Sequence, residues 1–557
     1  MPTKLTRRQA LLTGAAGGAL AGCTTPRRGR ASVEPASQVF AHGIASGDIG
    51  ERSVVLWTRV TPEGAGRERV TWQIAADENF ETVLSGGETE TGPERDWTVK
   101  VIPTGLEPGT HYFYRFEARG ETSGTGRTLT LPQASLDQLG IALASCSNYA
   151  FGHFNAYDAI ARDAAVDIVL HTGDYIYEYG GAEGWGHETA TAIGRRHAPA
   201  HETVTLADYR QRHAQYKSDA GSRALHAAKP LLCCWDDHES ANNPWMGGAS
   251  NHQPESEGDW LARRAASLQA YYEWMPIREP EPGMTREQFW RSYRFGDLAT
   301  LVTLETRHTG RARQVDYTPW LDEIETREDR DRLMAEVMED PSRTMLSPEM
   351  EAHLAAGLSA SKAEGQPWRV IGNASPMARM LVPDLAGFGI EEASAPNDAA
   401  RFMLWKGKWN LPFYTDTWDG YPAARERFYD LCREAGARDL LVLTGDSHSF
   451  WANELFDRSG GRMGLEIGTA GISSPGDFVE TGWPPNLAER LDRAFEQGLD
   501  EVAWTDNLHQ GYVRIVLGRE AAEVTYRAVD TVLTPDYRAF DLKTMRVVRG
   551  EGSLVYA

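Results

Sequence analysis

Disulfides are not what holds this chain together. Its 557 residues include only 5 cysteines, and two of these, Cys233 and Cys234, are adjacent and poorly placed to bridge each other. It also lacks any apolar run of the ~20 residues a membrane-spanning helix needs, which excludes a bundle of membrane spans. Positive charge is scarce: 57 Lys and Arg stand against 79 Asp and Glu, for a net charge of -22. A surface this acidic repels nucleic acid, so no nucleic-acid partner is expected, and an anionic substrate would need bound cations to attract it. No internal repeat is visible. What is present is ordinary for a soluble globular protein, 41% hydrophobic and 24% charged residues, in a length that calls for at least two domains.

Residues 1–22 read as an export signal, with Lys4, Arg7 and Arg8 followed by an apolar stretch over residues 10–21 that is too short to span a bilayer. The segment TRRQALL resembles a twin-arginine signal, whose export machinery carries proteins already folded. LAGC, ending in Cys23, resembles a lipobox, in which the cysteine becomes the lipidated first residue and tethers the chain to a membrane. Residues 23–38 then read as a linker. The expected location is the periplasm, a membrane-anchored lipoprotein, or the extracellular space.

From 39 to 133 short alternating strands, among them SVVLWTRV, RVTWQIA, WTVKVI and HYFYRFEA, are separated by Gly, Pro and Asp clusters, the spacing of a small β-sandwich. LEPGTHYFYRF resembles a fibronectin type III strand with Tyr112 as its corner tyrosine. Residues 139–557 form the larger domain. IALASCSN is a strand, FNAYDAIARDAA has helical periodicity and VDIVLHTGD is a second strand, together a βαβ unit. Further buried strands are KPLLCCW, LATLVTLE, WRVIGN and DLLVLTGD, and GYVRIVLGREAAEVTYRAVDTVL reads as an antiparallel hairpin. Two long polar and aromatic insertions, residues 178–225 and 241–289, are placed to shape substrate access. Cys432 belongs on the buried face of a helix.

Four of these strands end in metal-ligand side chains: ASCSN, LHTGDYIYEYGG, CCWDDHE and LTGDSHSF. A single Gly-Asp is commonly just a turn, but the carboxyl ends of strands in open α/β sheets are where chemistry collects. With the end of WRVIGN they assemble Cys146, Asp174, Tyr177, Asp237, His238, Asn373, Asp446 and His448. Tyr175 and Glu178 are expected to support the ligands from behind or to pack beside the site, and His153, His171 and His308 to be structural. Trp418 and Asp419 border the cleft.

The order of these residues resembles the calcineurin-like metallophosphoesterases, whose motifs supply an Asp, GDxxY, GNHE, a lone His and GHxH. The variants SCSN, GDYIYE, WDDHE, GNAS and GDSH resemble the alkaline phosphatase D branch of that family. The resemblance implies an α/β metallophosphatase core of two packed mixed sheets flanked by helices, with an N-terminal all-β sandwich. It further implies hydrolysis of phosphate monoesters or diesters with an alkaline optimum. Asp237, Asn373 and Asp446 replace an Asn and two His, and such oxygen donors select a hard cation, Ca²⁺ or alternatively Mg²⁺. Cys146, Asp174, Tyr177 and His448 suit Fe³⁺, with Asp174 bridging; Zn²⁺ is the alternative. Such an ion pair would activate a hydroxide for in-line attack on phosphorus. His238 would protonate the leaving alkoxide and Arg307 would neutralise phosphate charge; the family's Asp is Glu305 here. A phospholipase D-like diesterase and a non-catalytic cell-surface binding protein are the alternative functions.

Overall fold

Strands buried on both faces need apolar residues at nearly every position, which is why the runs ending in the candidate ligands are uninterrupted. In a computed structural model describing residues 29–30, 37–182, 184–550 and 552–557, these runs lie at the centre of two sheets. The expected export signal, Cys23 and most of the 23–38 linker fall outside the described residues. Among the described residues, no helix is long and apolar enough to cross a membrane.

The first sheet has ten strands, with Gln138–Ala144, Ile168–His171 and Leu231–Cys233 parallel at its middle. The expected hairpin, Gln510–Gly518 and Ala521–Val529, extends it antiparallel on one side. The second sheet has seven strands, of which Ala299–Thr303, Trp368–Gly372, Leu440–Thr444 and Arg462–Gly468 run parallel.

Alternation along each strand divides its side chains between two cores. Ile141, Leu143, Ile168 and Leu170 of the first sheet meet Leu301, Val370, Leu441 and Leu443 of the second in one cluster. On the outer faces, Ala142, Ala144 and Val169 pack against Tyr157 and Ile160 of helix Asn155–Arg162. Val302, Ile371 and Val442 pack against helices Pro348–Ala363 and Pro422–Glu434, where Cys432 is buried as expected. The fold is therefore two packed mixed sheets flanked by helices, plus an N-terminal β-rich sandwich.

That sandwich shares a sheet with the core. Its strands Ile44–Gly47, Val55–Arg59 and Thr98–Val101 continue the ten-stranded sheet through one pairing, Gly47 with Leu231. Gly47 permits the approach, since a Cβ there would lie 2.4 Å from the Leu231 carbonyl oxygen. The indole of Trp57 donates to the Glu273 carbonyl at 2.8 Å, a second tie between the two parts. The other sandwich sheet has five strands, and at its corner the Tyr112 hydroxyl accepts from the Glu107 N–H at 2.8 Å.

Both insertions carry helices. Leu206–Lys217, with a Thr205–Asp208 capping box, packs against Trp260–Trp274 beside the ends of the parallel strands.

Candidate metal centre

Sharp turns at the strand ends aim the ligand side chains. Cys146, Asp174, Asp446 and His448 all have left-handed backbones, with φ of +59, +56, +67 and +54. Such conformations cost about 1–3 kcal/mol each in non-glycine residues and persist where neighbours enforce them. The enforcing bonds run between turns: Cys146 N–H donates to the Gly173 carbonyl at 3.2 Å and Ser147 N–H to the Asp174 carbonyl at 2.9 Å. The two sheets meet at Gly445, where a Cβ would lie 2.1 Å from Ser145 Oγ. Only glycine fits, and the ends of the two sheets are thereby held against each other.

The predicted ligands converge. Tyr177 Oη lies 3.1 Å from Asp174 Oδ2, 3.1 Å from His448 Nε2 and 3.0 Å from Ser474 Oγ. Cys146 Sγ is 3.5 Å from Asp174 Oδ2. Ligand atoms of Cys146, Asp174 and His448 lie within 4.8 Å of one another, as do those of Asp236, Asp237 and Asp446, and those of Asp174, Asp237 and His238. Asn373 leaves its strand at the same end; Nδ2 donates to the Ser375 carbonyl at 2.6 Å, which fixes the amide's orientation. Asp174, Asp237, His238, Asp446 and His448 face a cavity of about 300 Å³ whose other walls include Trp185, Tyr414, Asp416, Asp477 and Glu480.

Electrostatically this is an uncompensated site. Burial, reinforced by Asp237, Asp236 and Glu239, pushes the Asp174 carboxyl well above the usual range against the pull of His238. Burial and Asp236 do the same to Asp446 despite Arg307. Burial and Asp174 raise both the Cys146 thiol and the Tyr177 phenol. Asp236 Oδ2 and Asp237 Oδ1 are buried without a hydrogen-bond partner among the described residues. Buried acids and orphaned oxygens of this kind fit bound cations, which lower every one of these pKa values together.

His238 is held on three sides. Its Nδ1 is 2.7 Å from Glu178 Oε2, its ring stacks on Tyr177 with centroids 4.3 Å apart, and its N–H donates to Asp174 Oδ1 at 3.3 Å. Burial opposes its charge, but Asp237, Glu178 and Asp174 outweigh that and hold the imidazolium well above the ordinary histidine range.

Arg307, expected to neutralise phosphate charge, lies beneath the carboxylates of the site. Its side chain is fully buried beneath the site and absent from the cavity wall, with Nε donating to Asp236 Oδ1 at 2.5 Å and Nη1 to Asp416 Oδ2 at 3.3 Å. Nη2 lies 3.6 Å from Asp446 Oδ2. It offsets carboxylate charge and orients these side chains, while Nη2 has no hydrogen-bond partner among the described residues. Glu305 organises the same loop, accepting from the N–H groups of Arg307, His308 and Thr309 at 2.8, 2.7 and 2.9 Å and from Trp235 Nε1 at 3.0 Å.

A family description, PhoD-like phosphatase, matches residues 141–526, and PhoD-like phosphatase, N-terminal domain, matches residues 25–132. The chain is 34% identical over 524 residues to alkaline phosphatase D of Bacillus subtilis (strain 168), covering 90% of this chain and 79% of that one. This chain belongs to the PhoD-like phosphatase family. A solved structure described as that of PhoD superposes with a TM-score of 0.74 at 29% identity, covering 94% of this chain and 93% of the other. As a PhoD-like phosphatase, the chain is a hydrolase of phosphoric esters, and its clustered Cys, Asp and His side chains include groups that could hold a metal ion.

Sequence reasoning underrated several residues of this PhoD-like centre. Glu178, expected to support the site from behind its ligands or to pack beside it, accepts from Asn242 N–H and Asn251 Nδ2, each at 2.8 Å, as well as meeting His238. Glu239, last residue of WDDHE, accepts from the N–H groups of Tyr175 at 2.5 Å and Asp236 at 2.7 Å, which pins the two acidic turns together. The motif itself was the signal available for Glu239. Trp185 belongs to the first insertion and Asp416 opens the DTWDGYP stretch, in which Trp418 and Asp419, expected at the cleft, are instead buried away from the cavity wall; Asp477 and Glu480 come from a short helix, Asp477–Glu480, that no local pattern marks.

Proposed function

We propose that this protein hydrolyses phosphate monoesters and diesters at a mixed centre, with Fe³⁺ held by Cys146, Asp174, Tyr177 and His448 and Ca²⁺ held by Asp237, Asn373 and Asp446. Thiolate, phenolate and imidazole donors favour the ferric ion, and an all-oxygen set favours a hard cation. The observation that carries the reading is the meeting of strand ends from both sheets around one cavity whose acidic side chains outnumber any cation that could neutralise them. When bound, the metals supply the positive charge that acidifies a water and offsets phosphoryl charge.

The chain's own residues do the rest. Arg307 keeps Asp236, Asp416 and Asp446 in place from below. Glu178 accepts the Nδ1 proton of His238, leaving Nε2 as the proton donor toward a departing alkoxide. Trp185 and Tyr179 wall the cavity and limit water around the reacting group.

The reading includes export by the twin-arginine machinery and a lipid tether at Cys23, which would place the enzyme in the periplasm or on the outer face of a membrane. Mass spectrometry of the exported chain tests this part: a mature N-terminus at a diacylated Cys23 supports it, and an uncut N-terminus contradicts it. The catalytic part is tested with p-nitrophenyl phosphate and bis-p-nitrophenyl phosphate. Turnover of either ester that disappears in a folded Asp174→Ala variant supports it, and undiminished turnover in that variant sinks it.

A further inference from the structure

Beside the metal centre lies a second, larger cavity of about 750 Å³. Trp185 and Glu480 line both cavities, so the two adjoin across these side chains. The Trp185 ring stacks on His448 at 5.5 Å and 17° and meets Phe151 edge-on with centroids 4.6 Å apart. Its backbone setting is fixed by Gly186, where φ is +86 and a Cβ would lie 2.9 Å from the Phe151 ring. An aromatic corner therefore stands within one side chain of the candidate ligand His448.

Acidic side chains dominate this second cavity, with His187 the one ionisable base on its wall among the described residues. No Lys or Arg lines it among the described residues, and none lines the first cavity either. Glu188 has no ion-pair partner among the described residues, and Glu480 has only His448 Nδ1 at 3.3 Å. Asp530 also faces the space, but Arg538 neutralises it at 3.0 Å, so it adds little. A substituent carrying a second phosphate would find no lysine or arginine here and two carboxylates opposing it. An aromatic side chain next to a carboxylate without a cationic partner, here Trp185 near Glu188, is the chemistry that recognises an ammonium group.

We propose that this cavity is a subsite for an alcohol bearing a quaternary or primary ammonium, so that diesters of such alcohols are preferred substrates. The proposal rests on the phosphoesterase reading. Phosphorus lies at the metal centre while the ammonium lies against Trp185, Phe151 and Glu188. Hydrolysis forms one P–O bond from water and breaks the P–O bond to the other alcohol, which leaves with a proton. The ammonium alcohol is retained as its phosphate monoester.

The test compares p-nitrophenyl phosphorylcholine with its uncharged isostere, p-nitrophenyl 3,3-dimethylbutyl phosphate, on the metal-loaded full chain. Both release p-nitrophenolate, and they differ only in the charge of the other substituent. The expected kcat/KM ratio is about tenfold in favour of choline, the size of a partly desolvated cation–π contact with a nearby carboxylate. Glu188→Gln and Phe151→Leu should each shrink that ratio by several-fold. A ratio near one in the unsubstituted protein, or a ratio unmoved by both variants, overturns the proposal. No turnover even of p-nitrophenyl phosphate would instead be a failure of the phosphoesterase reading. Glycerophosphocholine and phosphatidylcholine vesicles, each against its glycerol-headed counterpart, separate a soluble from a lipid source. Faster cleavage of either choline diester supports the subsite, and no choline preference in either arm counts against it.

Discussion

Glu178 Oε2 stands 2.7 Å from His238 Nδ1, and the same carboxylate binds Asn242 and Asn251, so the imidazole is clamped by the insertion that follows its own strand. This fixes which nitrogen of His238 turns toward the cavity. A general acid matters in proportion to how poor the leaving group is. His238→Ala should therefore lower kcat for an alkyl phosphate by about 10²–10⁴-fold and for p-nitrophenyl phosphate by much less. Glu178→Gln should give a smaller loss with the same dependence on leaving group. Equal losses on both substrates would mean that His238 acts only as a support for Asp237.

Arg307 is the counter-charge for Asp236, Asp416 and Asp446, all buried or nearly so. Removing one partner of such a set leaves charges uncompensated, at about 3–5 kcal/mol. Arg307→Met should lower the thermal midpoint of metal-depleted protein sharply, with Ca²⁺ restoring part of the loss because the cation takes over the same duty. A variant as stable as the parent without metal would contradict this role.

Glu480 Oε2 is 3.3 Å from His448 Nδ1, an ion-pair distance without hydrogen-bond geometry, and a small rotation would let it hold a ligating imidazole by its far nitrogen. Losing such a partner typically weakens metal binding 10–100-fold. Glu480→Gln should release iron in that range of added chelator, read directly by elemental analysis. Unchanged retention would leave Glu480 as a cavity wall alone.

Asp492 provides a prediction about pH. Burial, with Asp506 and Glu496 nearby, pushes its carboxyl from 3.8 to about 8 although Asn507 Nδ2 donates to it at 2.7 Å. Between those two values the folded state holds a proton that the unfolded chain has lost, so stability falls as pH rises through this window. Asp492→Asn cannot titrate. It should match the parent below pH 4 and exceed it at pH 9 by a few kcal/mol, seen as a higher thermal midpoint. A variant less stable than the parent at pH 9 would show that the carboxylate is better satisfied than its surroundings suggest.

Much of the centre was legible because its donors end strands buried on both faces. Ile168–His171 and Leu440–Thr444 stand out as apolar runs that stop shortly before Asp174 and Asp446, and Gln138–Ala144, Leu231–Cys233 and Trp368–Gly372 stop in the same way before Cys146, Asp237 and Asn373. Arg307 follows a strand in the same way, yet a sequence does not say whether an arginine points into a cavity or beneath its floor. Here the pull of three carboxylates decided for the floor. Glu480, Asp477 and Trp185 reach the site from a short helix and an insertion whose path is set by tertiary packing. The sandwich was visible in its strand spacing, but its continuity with the core sheet depends on a single pairing at Gly47, which no periodicity announces.

The most direct test of the account is elemental analysis of protein purified without added metal, with turnover of p-nitrophenyl phosphate measured on the same sample before and after chelation. The account predicts stoichiometric iron and calcium, an absorption band in the visible that shifts in Tyr177→Phe, and activity that vanishes with the metals and returns with Fe³⁺ and Ca²⁺ together. Full activity in protein stripped of metal would contradict it.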